Sequence, residues 1–207
     1  NRIDFIDGAE LIANDAIEQV VLNGKARAYG IELMMKKNNG ALTGWLSYTL
    51  SRAEQQTPGR NNNEPGINNG KWYLAGFDKT HNLNIVANYD SKKKWKFGAI
   101  FTLQTGQPSN FPAGQYSYDI FMVPVFGDRN ANRLPLFHHL DVSATYTPNR
   151  KPTKKFKGEF VFSVYNLYNR QNAASFQFRQ NKETLASESL RTSLFGVIPS
   201  VTYNFKF

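Results

Sequence analysis

Apolar and polar residues alternate along much of this chain, which is the pattern of β-strands that have two different faces. In the last segment, Val201, Tyr203 and Phe205 alternate with Thr202 and Asn204. The same period of two recurs in earlier segments, and together they predict about eight strands in an all-β, antiparallel fold. The predicted strands are 1–7, 25–37, 41–51, 81–89, 94–106, 137–146, 156–168 and 195–207.

The connectors between these strands alternate between short and long. Asn38-Asn39-Gly40 is a tight hairpin signal, and further short turns are predicted around 91–93 and at 148–155. The long connectors are 8–24, 55–78, 107–136 and 169–193. A barrel that crosses an outer membrane has short turns on one side and long loops on the other. We therefore expect an antiparallel transmembrane β-barrel, whose apolar face contacts lipid and whose polar face lines a wet lumen.

The composition excludes several classes of protein. Aromatic residues make up 14% of the 207 residues, which argues against disorder and against a helical bundle. The sequence has no run of 18 apolar residues and therefore predicts no transmembrane helix. This criterion does not apply to transmembrane strands, in which apolar residues alternate with polar ones. There are no cysteines, so disulfide and thiolate chemistry are excluded.

The chain carries a formal charge of +9, which raises nucleic acid or an anionic surface as partners. The charge collects in Lys92–Lys94 and in 150–155, both of which are predicted turns. The aromatic loops lie at the other end of the predicted strands. We therefore interpret these clusters as solvated turns and expect no nucleic-acid partner.

No catalytic or metal-binding pattern is found. His138 and His139 are neighbours in a predicted strand, so they point to opposite faces and do not chelate together. The segment 128–132 reads Asp-Arg-Asn-Ala-Asn, like the first half of a calcium loop, but Arg133 and His139 stand where that loop needs glycine and glutamate. We expect no enzyme activity, no resident metal and no cofactor.

The two central long loops are rich in aromatic and arginine side chains. Aromatic faces stack on sugars and other rings, and arginine pairs with carboxylates or phosphates. Two interpretations stay open: contact with a ligand or a lid lipoprotein, or packing of the loops against each other. The candidate ligand-binding residues are Trp72, Tyr73, Tyr116, Tyr118, Arg129 and Arg133.

The chain ends with aromatic residues at alternate positions, Tyr203, Phe205 and Phe207. This ending resembles the closing-strand signal by which outer-membrane barrels are recognised for assembly. Further stretches, in this order, resemble the C-terminal barrel region of Bacteroidota-type TonB-dependent outer-membrane receptors. They are Ala28-Tyr29-Gly30-Ile31-Glu32-Leu33, Gly44–Ser51, Asp78–Leu83, Gln104-Thr105-Gly106-Gln107-Pro108, Leu140–Ala144 and Val164–Asn169.

The resemblance implies a barrel of about 22 strands that holds a plug domain. Residues 1–207 would be its C-terminal segment, without the plug and the N-terminal strands. The implied function is active uptake of a scarce solute. The implied partners are outer-membrane lipid, the barrel-assembly machinery and TonB, which would act through the missing plug; a surface lipoprotein is a candidate lid. The long loops would be extracellular and the C-terminus periplasmic.

Two other interpretations remain at this point. A free barrel of eight strands with a structural or adhesive role is geometrically allowed, because eight strands are enough to close. A soluble carbohydrate-binding β-sandwich would also show alternating strands, although it has no reason to collect its long loops at one end.

Overall fold

The computed structural model describes residues 2–5, 17–118, 121–148, 157–181 and 187–206. Almost all of its regular structure is antiparallel strand. In chain order the strands are β1 (Arg2–Phe5), β2 (Val21–Lys37), β3 (Leu42–Gln56), β4 (Trp72–Leu74), β5 (His81–Asp90), β6 (Trp95–Gln104), β7 (Pro108–Ser109), β8 (Pro112–Tyr118), β9 (Phe121–Phe126), β10 (Asn132–Arg133), β11 (Phe137–Tyr146), β12 (Lys157–Tyr165), β13 (Ala173–Gln180), β14 (Ser187–Ser193) and β15 (Ile198–Lys206). Two short 3₁₀ segments span Ile17–Gln19 and Ile67–Gly70.

Eight strands form one sheet in which each pairs antiparallel with the next. The order is β1-β2-β3-β5-β6-β11-β12-β15, and the short strand β4 pairs with β3. The prediction of an all-β, antiparallel fold is confirmed, and each of the eight predicted strands corresponds to one strand of this sheet. Among the described residues the sheet is open, with β1 and β15 at its edges, so closure into a transmembrane barrel stays a prediction.

The long connectors contain strands that the sequence pattern did not predict. β8 pairs with β9 within 107–136, and β13 pairs with β14 within 169–193. Pro112, Gly114 and Pro124 interrupt the alternation of the first hairpin, and these residue types are rare in strands. The last strand also begins later than predicted, at Ile198, because its partner β12 ends at the paired residue Tyr165; Phe195, before it, has a left-handed φ of 49°.

The register of the sheet gathers the apolar positions of seven strands onto one side. Directly paired residues point to the same side of a sheet. One row across the middle of the sheet is Ala87, Ala99, Val142, Val164 and Pro199. We call the whole surface the apolar face; it includes Ile31, Leu33, Leu46, Leu83, Ile85, Phe101, Leu140, Phe162 and Val201.

The opposite side is largely polar, and we call it the polar face. Paired residues in one of its rows are Asn88, Gly98, Ser143, Ser163 and Ser200. The Ser163 and Ser200 hydroxyls are 2.7 Å apart, within hydrogen-bond distance. The period-two pattern therefore predicted correctly which side chains share a side.

Aromatic rings mark both ends of the apolar face. Near the short turns, the ring centroids of Trp95 and Tyr146 are 4.9 Å apart, and those of Phe160 and Tyr203 are 4.7 Å apart. Near the long connectors, Tyr48 lies within hydrogen-bond distance of His81, and His138 of Tyr168. Between these two rows the side chains are mainly aliphatic, with Phe101 and Phe162 among them.

This apolar face is not covered by the rest of the chain. Ile31 is 64% exposed and Val201 67% exposed. The accessible surface is 14565 Å², whereas a globular monomer of 23.5 kDa has roughly 9,800 Å². The buried apolar residues among those described are Leu22, Ile67, Tyr73, Ala75 and Pro108.

Gly44 offers a test of the sheet register. Its φ is +154°, and a Cβ at this position would overlap the Val86 carbonyl oxygen of the paired strand. We expect Gly44→Ala to lower the free energy of unfolding by about 1–3 kcal/mol because the strands would have to separate. Gly76→Ala is the control, since no atom lies within 4 Å of its added Cβ. Equal urea midpoints for both variants would contradict the register.

Candidate functional site

The candidate site lies at the end of the sheet that carries the long connectors. The described parts of the long connectors lie at this end because the strands alternate in direction, while the described short turns, 38–41 and 91–94, lie at the other end. Leu22 and Tyr73 are buried together with Ile67. By the strand register, Leu22 and Tyr73 lie on the polar side of the sheet. We call these connectors the loop cap, because part of them folds over the polar face.

The first polar cluster of the loop cap centres on Asp4. The hydroxyl of Tyr73 donates to Asp4 Oδ2 at 2.9 Å, and Gln55 Nε2 donates to the same oxygen at 3.0 Å. Arg129 Nη1 donates to Asp4 Oδ1 at 2.9 Å and to the Phe5 carbonyl at 2.8 Å. Burial and the hydrogen bond to Asp4 raise the pKa of Tyr73, so it stays a neutral donor. The cluster links β1, β4 and the connector before β10.

The second cluster centres on Asp78, whose side chain is fully buried. Its carboxylate accepts from Arg133 Nη2 at 2.5 Å, from the Ala53 backbone at 2.6 Å and from the Thr80 hydroxyl at 3.1 Å. Burial alone would raise the pKa of Asp78, but these hydrogen bonds outweigh it and hold the pKa below its ordinary value. Arg133 also donates to the Gly106 carbonyl at 3.0 Å. This cluster joins the connectors 57–80 and 105–136.

The structure brings Tyr73, Arg129 and Arg133 together in these networks. The Arg129 and Arg133 side chains are only 17% and 25% exposed. Their described contacts hold the loops against one another, which is the packing interpretation raised by the sequence. Direct contact of these residues with a ligand stays a prediction.

The other predicted ligand residues lie elsewhere. Trp72 is half-buried and lies under the Arg27 guanidinium, 4.1 Å from the ring centroid to Cζ. Tyr116 is 53% exposed on β8. Tyr118 ends β8, and its side chain lies outside the described part of the structure. In the proposed assembly signal, Tyr203 and Phe205 lie on the apolar face, with their ring centroids 6.1 Å apart. Phe207 lies outside the described residues.

A cleft of about 490 Å³ lies between the hairpins β8–β9 and β13–β14. The Phe111 ring connects the hairpins, with centroids 5.4 Å from Phe176 and 5.5 Å from Phe178. A space of this size is within the range of ligand pockets, and its walls combine apolar and polar groups. Its lining includes Pro112, Gln115, Phe126, Phe178, Arg179 and Glu188.

Sequence reasoning missed Asp4, Asp78 and this cleft. Asp78 and Thr80 fall inside a stretch that carried the family resemblance, but nothing in the spacing showed that the carboxylate is buried. Asp4 and Arg129 are 125 positions apart, so their pairing depends on strand order rather than on a local motif.

The two adjacent histidines point to opposite sides, as predicted. His138 contacts Tyr168 on the apolar face, and His139 contacts Asp141 at 2.8 Å on the polar face. Within the described part of the chain, no group of three or more His, Asp or Glu side chains could hold a metal ion. No helix in the described ranges is long and apolar enough to cross a membrane.

Comparison of the chain with known protein families, with curated proteins and with solved structures finds no match.

The Asp78 cluster should stabilise the packing of the loop cap. We expect Asp78→Asn to destabilise the fold by about 1–3 kcal/mol, because Arg133 loses its charged partner while both groups stay partly shielded from water. The pKa of Asp78 is lowered on folding, so its contribution is complete above about pH 4, the unfolded value, and is lost as the pH falls through the folded value. Unfolding midpoints at a series of pH values measure this.

Glu64→Gln is the control for that experiment. Arg60 lowers the pKa of Glu64 to about 2, yet this pair lies at the surface, with the Arg60 and Glu64 side chains 48% and 19% exposed, and surface ion pairs contribute little to stability. We expect no measurable loss at neutral pH. A loss as large as that of Asp78→Asn would contradict the special role of the buried carboxylate.

Proposed function

We propose that this chain forms part of the barrel wall of a TonB-dependent outer-membrane transporter, which takes up a scarce solute. The observation that carries the membrane part of this proposal is the apolar face. It spans seven neighbouring strands, is bounded by two aromatic rows and is uncovered. Transmembrane barrels have an outward apolar band with aromatic girdles at both interfaces.

A lipid environment would remove the free-energy cost of exposing this apolar surface to water. Moving one Leu, Ile or Phe side chain out of water contributes about 1.5–3 kcal/mol. The sheet exposes many such side chains on one side only, while Asn, Ser and Thr occupy the other. A soluble sandwich would need a second layer over the apolar face, and the described strands provide none.

The transport part rests on the family resemblance of the sequence and on the asymmetry of the connectors. In this proposal the ordered loop cap faces the cell exterior and offers the cleft between the hairpins to an incoming solute. TonB would act through a plug domain, and a surface lipoprotein is a candidate lid. The chain would supply a fixed wall and rim rather than bond-making chemistry.

The orientation of the apolar face can be tested with two neighbouring residues of β11. Val142 lies in the middle of the apolar face, and Ser143 follows it on the polar face. We expect Val142→Arg to destabilise the membrane-inserted protein by about 2–4 kcal/mol, because a charge at mid-bilayer is costly, whereas Ser143→Arg has little effect. The measurement is urea unfolding in lipid vesicles. Equal effects, or normal folding of Val142→Arg without lipid, would contradict the proposal.

The intact mass of the native polypeptide distinguishes a large receptor from a small barrel of eight strands. If about eight of some 22 strands are present here, the native chain extracted from the outer membrane should weigh roughly three times 23.5 kDa for the barrel alone, and more with a plug domain. A native mass near 23.5 kDa would instead favour the small structural or adhesive barrel, and TonB-driven transport by this chain would be abandoned.

A further inference from the structure

A cluster of basic side chains lies just beyond the loop-side end of the apolar face, on β2 and β3. Residues 25, 27, 29 and 31 of β2 point to the same side, so Lys25 and Arg27 continue the line of Tyr29 and Ile31. Arg52 pairs with Tyr29 in the register and joins the same surface. We call Lys25, Arg27 and Arg52 the basic cluster.

Glu54 fixes the two guanidinium groups of the basic cluster. Its Oε2 accepts from Arg27 Nε at 2.8 Å, and its Oε1 accepts from Arg52 Nε at 2.6 Å. Burial raises the pKa of Glu54, but the hydrogen bonds from the two arginines outweigh it and keep the carboxylate charged. One buried anion therefore positions two cations and leaves a net positive surface.

Donor groups of the basic cluster remain available to a ligand. The Arg27 and Arg52 side chains are 48% and 54% exposed, although both contact Glu54. No described residue accepts a hydrogen bond from either Nη nitrogen of Arg52, from Arg27 Nη1 or from the Lys25 ammonium. Two planar guanidinium groups on one carboxylate, with the ammonium of Lys25 next on the same side of β2, suit the oxygens of phosphate groups.

The position of the cluster matches the edge of a bilayer. Arg27 and Lys37 are ten residues apart on β2 and point to the same side. At about 3.4 Å per residue and a tilt of about 45°, they are separated by about 24 Å along the membrane normal, close to the roughly 25 Å height of an outer-membrane apolar band. Trp72, packed under Arg27, supplies the amphipathic ring typical of this interface.

We propose that Lys25, Arg27 and Arg52 bind the phosphate groups of an anionic lipid in the outer leaflet. This proposal rests on the proposed membrane insertion but not on transport. The lipid chains would lie along Ile31, Leu33 and the neighbouring apolar side chains, and the headgroup phosphate would contact the guanidinium groups. The cluster would thereby fix the height of β2 and β3 in the membrane.

The test compares lipids that differ only in phosphate. The native protein in neutral detergent is titrated with diphosphorylated lipid A and with its dephosphorylated form, and bound lipid is counted by native mass spectrometry. We expect about tenfold tighter binding of the phosphorylated lipid, since each basic residue near a membrane surface contributes roughly a fivefold factor and Glu54 offsets part of it. Equal binding of both lipids would overturn the proposal.

The matched variants keep the change of charge constant. Arg27→Gln/Arg52→Gln/Glu54→Gln removes the two guanidinium groups without leaving a lone buried carboxylate. Arg60→Gln/Glu64→Gln/Arg191→Gln makes the same three kinds of change away from the basic cluster, at an ion pair of the connector 57–80 and at an exposed arginine of β14. We expect only the first variant to lose the preference for phosphorylated lipid, and its loss in both or in neither would overturn the proposal.

Two further measurements separate the possible failures. Competition by millimolar inorganic phosphate would show a general phosphate site and would overturn the assignment to a lipid headgroup. Flotation with lipid vesicles tests insertion itself. A protein that floats yet shows no phosphate preference contradicts only this inference, whereas a protein that does not float contradicts the proposed membrane location as well.

Discussion

The paired backbone of the sheet is the constraint on which the rest of the structure depends. Because eight strands pair in a fixed register, every second side chain of seven strands falls on one surface. A slip of one residue in any strand would move its apolar side chains to the polar side. The same hydrogen bonds satisfy the backbone groups in the middle of the sheet, which a lipid environment requires. The apolar face and its membrane interpretation thus have one physical origin.

The loop cap depends on a different balance, in which buried and half-buried carboxylates take the place of a large apolar core. Asp4, Glu54 and Asp78 each accept from at least one arginine, and each also joins chain segments that are distant in sequence. A buried carboxylate is costly unless it is paired and hydrogen-bonded, so these networks allow few alternative arrangements. The loop cap can therefore present hairpins and a cleft at defined positions, although few of its apolar residues are buried.

The sequence predicted the sheet well because its information is local. Period-two alternation places strands and faces, and the lengths of connectors predict which ends meet. The hairpins β8–β9 and β13–β14 were not predicted because prolines, glycines and additional polar residues interrupt the alternation of apolar and polar positions there. The carboxylates that pair with Arg129 and Arg133 were not predicted for another reason. They belong to strands and connectors that are distant in sequence and that only the tertiary fold brings close to the two arginines. The aromatic and arginine residues of the loops left two interpretations open, because residue type alone does not separate ligand contacts from loop packing.

Charge is distributed differently at the two ends of the apolar face, and this asymmetry has a physical meaning. At the short-turn end, Lys37, Lys92 and Lys94 are exposed at strand ends and turns. At the loop end, Arg27 and Arg52 are held by a buried glutamate, so their side-chain entropy is already restricted before any ligand arrives. Preorganised guanidinium groups lose less freedom on binding than flexible lysines do. A surface that only needed solubility would gain nothing from that arrangement, whereas a surface that recognises a phosphate at a fixed depth would.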